Sequence, residues 1–186
     1  MKIATEKGAP VTNPADDYER LIKPIEDRMI RSVWRIVRNS EDVDDAFQEG
    51  LARIWRRWER IRRHPNPQAL ILRIGINAAY DCLRRKARCR KAEALGDIGE
   101  MRLVQPDEGS AAFGTEESRA ALCAAISRLP KNQGLAVHMR FIEEQSYEAI
   151  AGALGCRETA ARKHVSRGIK KLKDLLPRPM DGMPAS

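Results

Sequence analysis

The sequence predicts an all-α protein: two small helical domains joined by a flexible linker, the second a helix-turn-helix. Three observations carry that prediction. Apolar residues recur at steps of three and four along several segments, the signature of helices with one buried face. Aromatic residues make up only 5% and β-branched alternation is scarce, which argues against a β-sandwich or barrel. The charge is blocked: residues 28–91 hold 17 basic and 7 acidic side chains, residues 93–127 hold 2 and 7, and residues 128–176 hold 10 and 5. The acidic stretch between the basic blocks is dotted with Gly96, Gly99, Pro106, Gly109 and Gly114 and reads as a linker. The expected boundaries are a first domain over 14–92, a linker over 93–114 and a second domain over 115–177.

In chain order, Asn13-Pro14 is a helix start, an Asn cap with Pro at the first helical position. Pro24 is expected to break or kink that segment. Residues 25–38 then carry Met29, Val33, Ile36 and Val37 on one face. Asn39-Ser40 caps the next helix, expected to run unbroken to just before Pro65, with Val43, Phe47, Leu51, Ile54, Trp58 and Ile61 inward. Its other face holds Asp45, Gln48, Glu49, Arg53, Arg56 and Arg57. Asn66-Pro67 repeats the start signal for a long helix to about Lys91, with Leu70, Ile71, Ile74, Ala78 and Cys82 inward. Asn77, Asp81, Arg84 or Arg85, and Arg88 form a polar stripe on that helix, either a working surface or an ordinary solvated side.

Past the linker, Thr115 with Glu116 and Glu117 opens a helix stopped by Pro130, and a second covers about Asn132–Phe141. Ser146 caps a short helix to Leu154, Gly155 makes a tight turn, and a last helix runs from Arg157 to Leu176. These last two have helix-turn-helix proportions. Ala161, Val165, Ile169 and Leu172 face inward, leaving Arg162, Lys163, Ser166, Arg167 and Lys170 outward, the residue types that reach phosphates and base edges in a major groove.

The net charge of +8, from 34 basic and 26 acidic residues, favours a polyanionic partner. No run of ~18 apolar residues exists, and Met1–Pro14 has no apolar signal region, so a cytoplasmic protein without membrane contact is expected. Cys82 and Cys89 are seven apart on one helix, too far for a disulfide, and the four cysteines read as reduced thiols used as small hydrophobes. His64, His138 and His164 accompany no nucleophile motif, no HExxH and no Gly-rich phosphate loop, so no enzyme and no cofactor are expected. His138 and His164 are expected at the surface or the edge of a core.

Together these residues resemble the bacterial extracytoplasmic-function sigma factors. Asp45-Ala46-Phe47-Gln48-Glu49 is similar to that family's D-x-x-Q-E signature. Leu70 through Arg85 is similar to its W-L-x-x-I-A-x-N-x-x-x-D-x-x-R-R stretch, with Leu70 in place of Trp. Leu129-Pro130 with Gln133 resembles the opening of its second conserved domain, and Ser146–Gly155 its S-Y-x-E-I-A-x-x-L-G helix-turn, with Ala149 where Glu is usual.

The resemblance implies that Asp45, Gln48 and Glu49 bind the β′ clamp helices of core RNA polymerase. It implies that Asn77 and Asp81 meet base edges of a melted minus-ten element, and that the loop Arg62-Arg63-His64 with Asn66 holds a flipped base. Arg84, Arg85, Lys86 and Arg88 would hold phosphates there. Arg157, Arg162, Lys163, Ser166, Arg167 and Lys170 would read the minus-thirty-five element, with the second domain also on the polymerase β flap. The linker, with Glu100, Asp107 and Glu108, would thread towards the RNA exit path. An anti-sigma factor is a further implied partner. Trp55 and Trp58 read either as a base-stacking platform or as core. The runner-up function is a sigma-like protein that sequesters an anti-sigma factor without touching DNA; a plain helix-turn-helix repressor ranks below it.

Overall fold

A computed structural model describes Asp16, residues 18–96 and residues 116–176, and every element among them is helical. The helix start at Asn13-Pro14, the acidic linker beyond Gly96 and the tail from Pro177 lie outside the described residues.

A single π-helical turn, Tyr18–Ile22, leads into α1 (Lys23–Val37). Pro24 sits in the first turn of α1, where its missing N–H costs nothing, so it starts this helix rather than kinking it. Arg38 closes α1 in the left-handed conformation, its N–H bonded to the Trp34 carbonyl. Asn39 caps α2 (Ser40–Trp55) by accepting from the Asp42 N–H. The unbroken helix expected up to Pro65 is instead two. The Arg57 N–H bonds to the Ile54 carbonyl, three residues back, the chain turns at Arg56-Arg57, and α3 (Trp58–Arg62) follows. The turn redirects the chain so that Ile61, like Ile54, reaches the core. Trp55 and Trp58 meet across the break, ring centroids 4.8 Å apart. Asn66 then caps α4 (Pro67–Gly96) through its side-chain oxygen on the Ala69 N–H, and α4 continues past the expected end at Lys91.

The first half packs α1 and α2 against α4. Gly75 marks the close α1–α4 approach: a Cβ there would lie 2.5 Å from Met29 Cγ, so a larger residue would force the Met29 side chain to shift. The second half is α5 (Glu116–Ser127), α6 (Lys131–Phe141), α7 (Tyr147–Leu154) and α8 (Glu158–Leu175). Ser146 caps α7 on the Ala149 N–H, and Gly155 ends it with φ 67°, making the helix-turn-helix corner. In α8, Ala161, Val165 and Leu172 are buried as expected, and Ile169 packs against them.

The two halves are packed on each other. α4 contacts α5, α6 and α7, and α1 contacts α5. Buried apolar residues of both halves form one continuous cluster that includes Tyr80 from α4 and Leu135 and Met139 from α6.

Candidate functional site

Three surfaces expected from the sequence can be located, together with a buried polar seam that joins the halves.

The first surface is on α2. Asp45, Gln48 and Glu49 are all exposed on one side of the helix, as the i, i+3, i+4 spacing requires. Glu49 is already engaged: Oε1 accepts from Arg53 Nε at 2.7 Å and from Arg56 Nη2 at 3.3 Å. The Arg53 hydrogen bond holds the Glu49 carboxyl below its ordinary range.

The second is the stripe of α4 with the loop before it. Asn77 and Asp81 do stand one turn apart, and Asn77 Nδ2 donates to Asp81 Oδ2 at 2.9 Å. The Asp81 carboxylate is the hub of a cationic cage. Arg53 Nη1 from α2 donates to it at 2.7 Å, Arg84 Nη1 at 3.3 Å, and Lys131 Nζ of the second half lies 3.8 Å away. Asn77 Oδ1 is enclosed without a hydrogen-bond partner. Arg84 Nε donates to the Ser127 carbonyl at 2.8 Å, so this side chain also clasps the second half. Arg85 and Arg88 are exposed.

In the loop, Arg62 and Arg63 both reach Glu59, at 2.6 and 3.4 Å. His64 Nδ1 lies 2.8 Å from the Asn66 carbonyl oxygen and 3.1 Å from the Asn66 nitrogen, and Nε2 lies 3.1 Å from the Gly152 carbonyl of α7. The Asn66 side chain is occupied as the α4 cap. Trp58 is half-buried against the core and Trp55 is 38% exposed, so Trp55 is the more exposed of the two.

The third is the outer face of α8. Lys163, Ser166, Arg167 and Lys170 are exposed. Arg162 is exposed but tied, with Nη2 2.6 Å from Glu158 Oε1 and its guanidinium over the Tyr147 ring at 4.3 Å. Arg157 occupies the N-cap of α8 with no side-chain cap bond.

The seam was not legible in the sequence. Glu143, in the turn after α6, is 3% exposed and buried against α1. Arg28 Nε donates to its Oε2 at 2.9 Å, Arg28 Nη2 donates to its backbone carbonyl, and Ser32 Oγ donates to its Oε1. Arg35 Nη1 stands 3.8 Å away. His138, expected at a surface or core edge, is fully buried on α6. Tyr80 Oη of α4 lies 2.8 Å from its Nδ1, and Nε2 faces Glu143 Oε1 at 3.6 Å, beyond hydrogen-bond length. Burial lowers the His138 pKa and would raise that of Glu143. At Glu143 the adjacent His138, Ser32 and Arg28 outweigh burial and bring the carboxyl down to about 2. Cys123 joins the same seam, its thiol 3.5 Å from the Arg35 carbonyl and pushed up by burial. Cys82 is also buried, Cys156 partly so, and Cys89 is exposed.

Among the described residues no group of three or more His, Cys, Asp or Glu side chains could hold a metal ion, and no helix is long and apolar enough to cross a membrane.

Comparison with known proteins assigns both halves. Residues 21–89 match the family described as Sigma-70 region 2, and residues 119–172 match Sigma-70, region 4. The chain is 29% identical over 160 residues to the ECF RNA polymerase sigma factor SigE of Mycolicibacterium smegmatis, covering 86% of this chain and 61% of that protein. It is 29% identical over 162 residues to the RNA polymerase sigma-E factor of Streptomyces coelicolor, covering 86% of each. Among solved structures, the sigma factor RpoE from Bartonella quintana, crystallised with the anti-sigma factor NepR, shares the fold with a TM-score of 0.51. That match is 20% identical and covers 86% of this chain and 96% of the other.

Proposed function

The chain belongs to the sigma-70 family, in its extracytoplasmic-function class, and from that premise we propose that it binds core RNA polymerase and directs promoter-specific initiation in the cytoplasm. The observation that carries this reading is the pairing, in one chain, of region 2 bearing the Asn77–Asp81 stripe with region 4 bearing a basic, exposed helix-turn-helix face.

In this reading the exposed Asp45, Gln48 and Glu49 dock on the β′ clamp helices. α8 enters the major groove at the minus-thirty-five element, with Arg167, Lys163 and Lys170 on phosphates or base edges. The second domain also rests on the polymerase β flap. At the minus-ten element a base leaves the stack at a cost of a few kcal/mol, which binding must offset. Asn77 would present its amide to a base edge, with Asp81 beside it. Arg84, Arg85 and Arg88 would hold the strand's phosphates, which makes binding salt-dependent.

Two of these groups, His64 and Arg84, are bonded to the second half. The halves must therefore separate before the minus-ten surface works, and polymerase, holding the two regions apart, would supply that separation. The linker is expected to run between them through the polymerase. The sigma-factor reading brings in no enzymatic activity and no cofactor; an anti-sigma factor is a further expected partner.

The test is a separation of functions. Asp45→Ala combined with Gln48→Ala is expected to abolish core-polymerase binding while leaving the fold intact. Asn77→Ala is expected to retain polymerase binding and lose promoter melting, followed by permanganate reactivity of the minus-ten region. Loss of polymerase binding by Asn77→Ala would show that the site is misplaced.

A further inference from the structure

We propose that the cleft between the two halves is a seat for a small phosphate-bearing anion, which draws Arg57, Arg60 and Arg73 together. The cleft encloses about 250 Å³. One wall comes from the first half and carries Arg57, Arg60, Arg73 and His64; the other is the Gly152–Gly155 corner of the helix-turn-helix. No acidic side chain lines it.

The arginines around it have partners that these three lack. Arg62 and Arg63 reach Glu59, and Arg53 and Arg56 reach Glu49. Arg57, Arg60 and Arg73 form no ion pair among the described residues. Arg73 is the most enclosed of them, and its Nε has no hydrogen-bond partner. Burial, then the nearby Arg57 and Arg60, disfavour its charge. A desolvated guanidinium beside two like charges is costly unless an anion joins it.

The opposite wall does not supply that anion. It is the C-terminal end of α7, worth roughly half a negative charge, against three guanidiniums. The ligand's chemistry follows from the donors. Planar guanidiniums bind phosphate oxygens in bidentate fashion, and three cations call for an anion of more than one charge. The cleft is smaller than the ~300–1,000 Å³ of sites for drug-sized ligands, so the occupant is compact. The anion's contacts come from the first half's arginines, and the α7 corner encloses the cleft from the other side. The site belongs to the free protein and is independent of the initiation reading.

The experiment is calorimetric titration of the full chain with inorganic pyrophosphate at constant ionic strength, with thermal melting beside it. Saturable one-to-one binding and a raised Tm are expected. Arg73→Gln should weaken binding at least tenfold. Arg60→Gln, at an exposed position where folding is not at stake, should do the same, while Arg31→Gln on the exposed side of α1 should leave binding unchanged. Absence of pyrophosphate binding would overturn the proposal. So would equal weakening by Arg31→Gln, which would reveal general charge attraction, or protection of these arginines by duplex DNA alone, which would make them backbone contacts.

Discussion

The two halves of the molecule hold their proposed nucleic-acid surfaces in different states. In the first, the surface is spoken for: Asp81 is caged by Arg53 and Arg84, His64 is bonded to Gly152, Arg84 clasps Ser127, and Arg62 sits on Glu59. In the second, Lys163, Ser166, Arg167 and Lys170 stand exposed on α8, and only Arg162 is tied, within its own half. In the proposed reading, contact between the halves occupies His64 and Arg84 of the minus-ten surface while leaving the α8 face exposed. On that reading the chain would meet double-stranded DNA before the halves separate and would melt it only after.

The largest effect should come from the melting surface itself. Asn77→Ala is expected to cost about 3 kcal/mol of open-complex stability, roughly a hundredfold, with minus-thirty-five binding unchanged. Equal losses at both elements would break the distinction between the halves.

Next is the seam. Glu143→Gln removes the charge that Arg28 and Ser32 hold, and should cost about 2 kcal/mol of the closed arrangement, read as a shift in the denaturant midpoint. The same variant should bind forked minus-ten DNA more tightly and minus-thirty-five duplex as before. Unchanged fork binding would mean that closure does not guard the melting surface.

Acid should loosen the same seam. His138 has a lowered folded pKa, so its contribution is present above the ordinary value near 6.5 and is lost as the pH falls below it. Glu143 is held at about 2, so its contribution is present above the ordinary carboxylate range and is lost between about 4.5 and 2. The groups facing them are Arg28, Arg35, Tyr80 and Cys123. Stability should therefore begin to fall below about pH 6.5 and fall further below 4.5, and His138→Gln should remove the first of these steps. A flat profile between pH 7 and 5 would contradict the burial of a neutral His138.

The smallest effects belong to α8. Arg167→Ala should weaken minus-thirty-five binding by about 1 kcal/mol and lower the salt slope by about 1 if its contact is a phosphate. Arg162→Ala should add a slight loss of helix stability through its Glu158 and Tyr147 contacts.

Much of this was legible in the sequence, and the reason is local. Asn39, Asn66 and Ser146 cap their helices within three residues, and Gly155 turns where a left-handed residue is needed. The Asn77–Asp81 stripe follows from i, i+4 spacing alone. What escaped depends on residues far apart in the chain. Glu143 meets Arg28 across 115 positions, and a polar turn residue gives no sign that it will be buried. His138 resembles a surface histidine until Tyr80, 58 residues away, is placed against it. The crossing of α6 and α8 falls at Gly168, where a Cβ would lie 2.6 Å from Val137 Cγ2, and a lone glycine in a helix does not announce its neighbour. The break at Arg56-Arg57 was hidden because Ile54, Trp58 and Ile61 keep helical spacing across it.

The most direct test of the account is to combine the protein with bacterial core RNA polymerase and sheared genomic DNA, then sequence the run-off transcripts. Transcripts starting downstream of two spaced motifs are expected, lost with Asn77→Ala while polymerase binding persists. Folded protein that fails to bind polymerase, or that binds it and leaves transcript starts without a shared upstream sequence, would contradict the assignment of promoter-directed initiation.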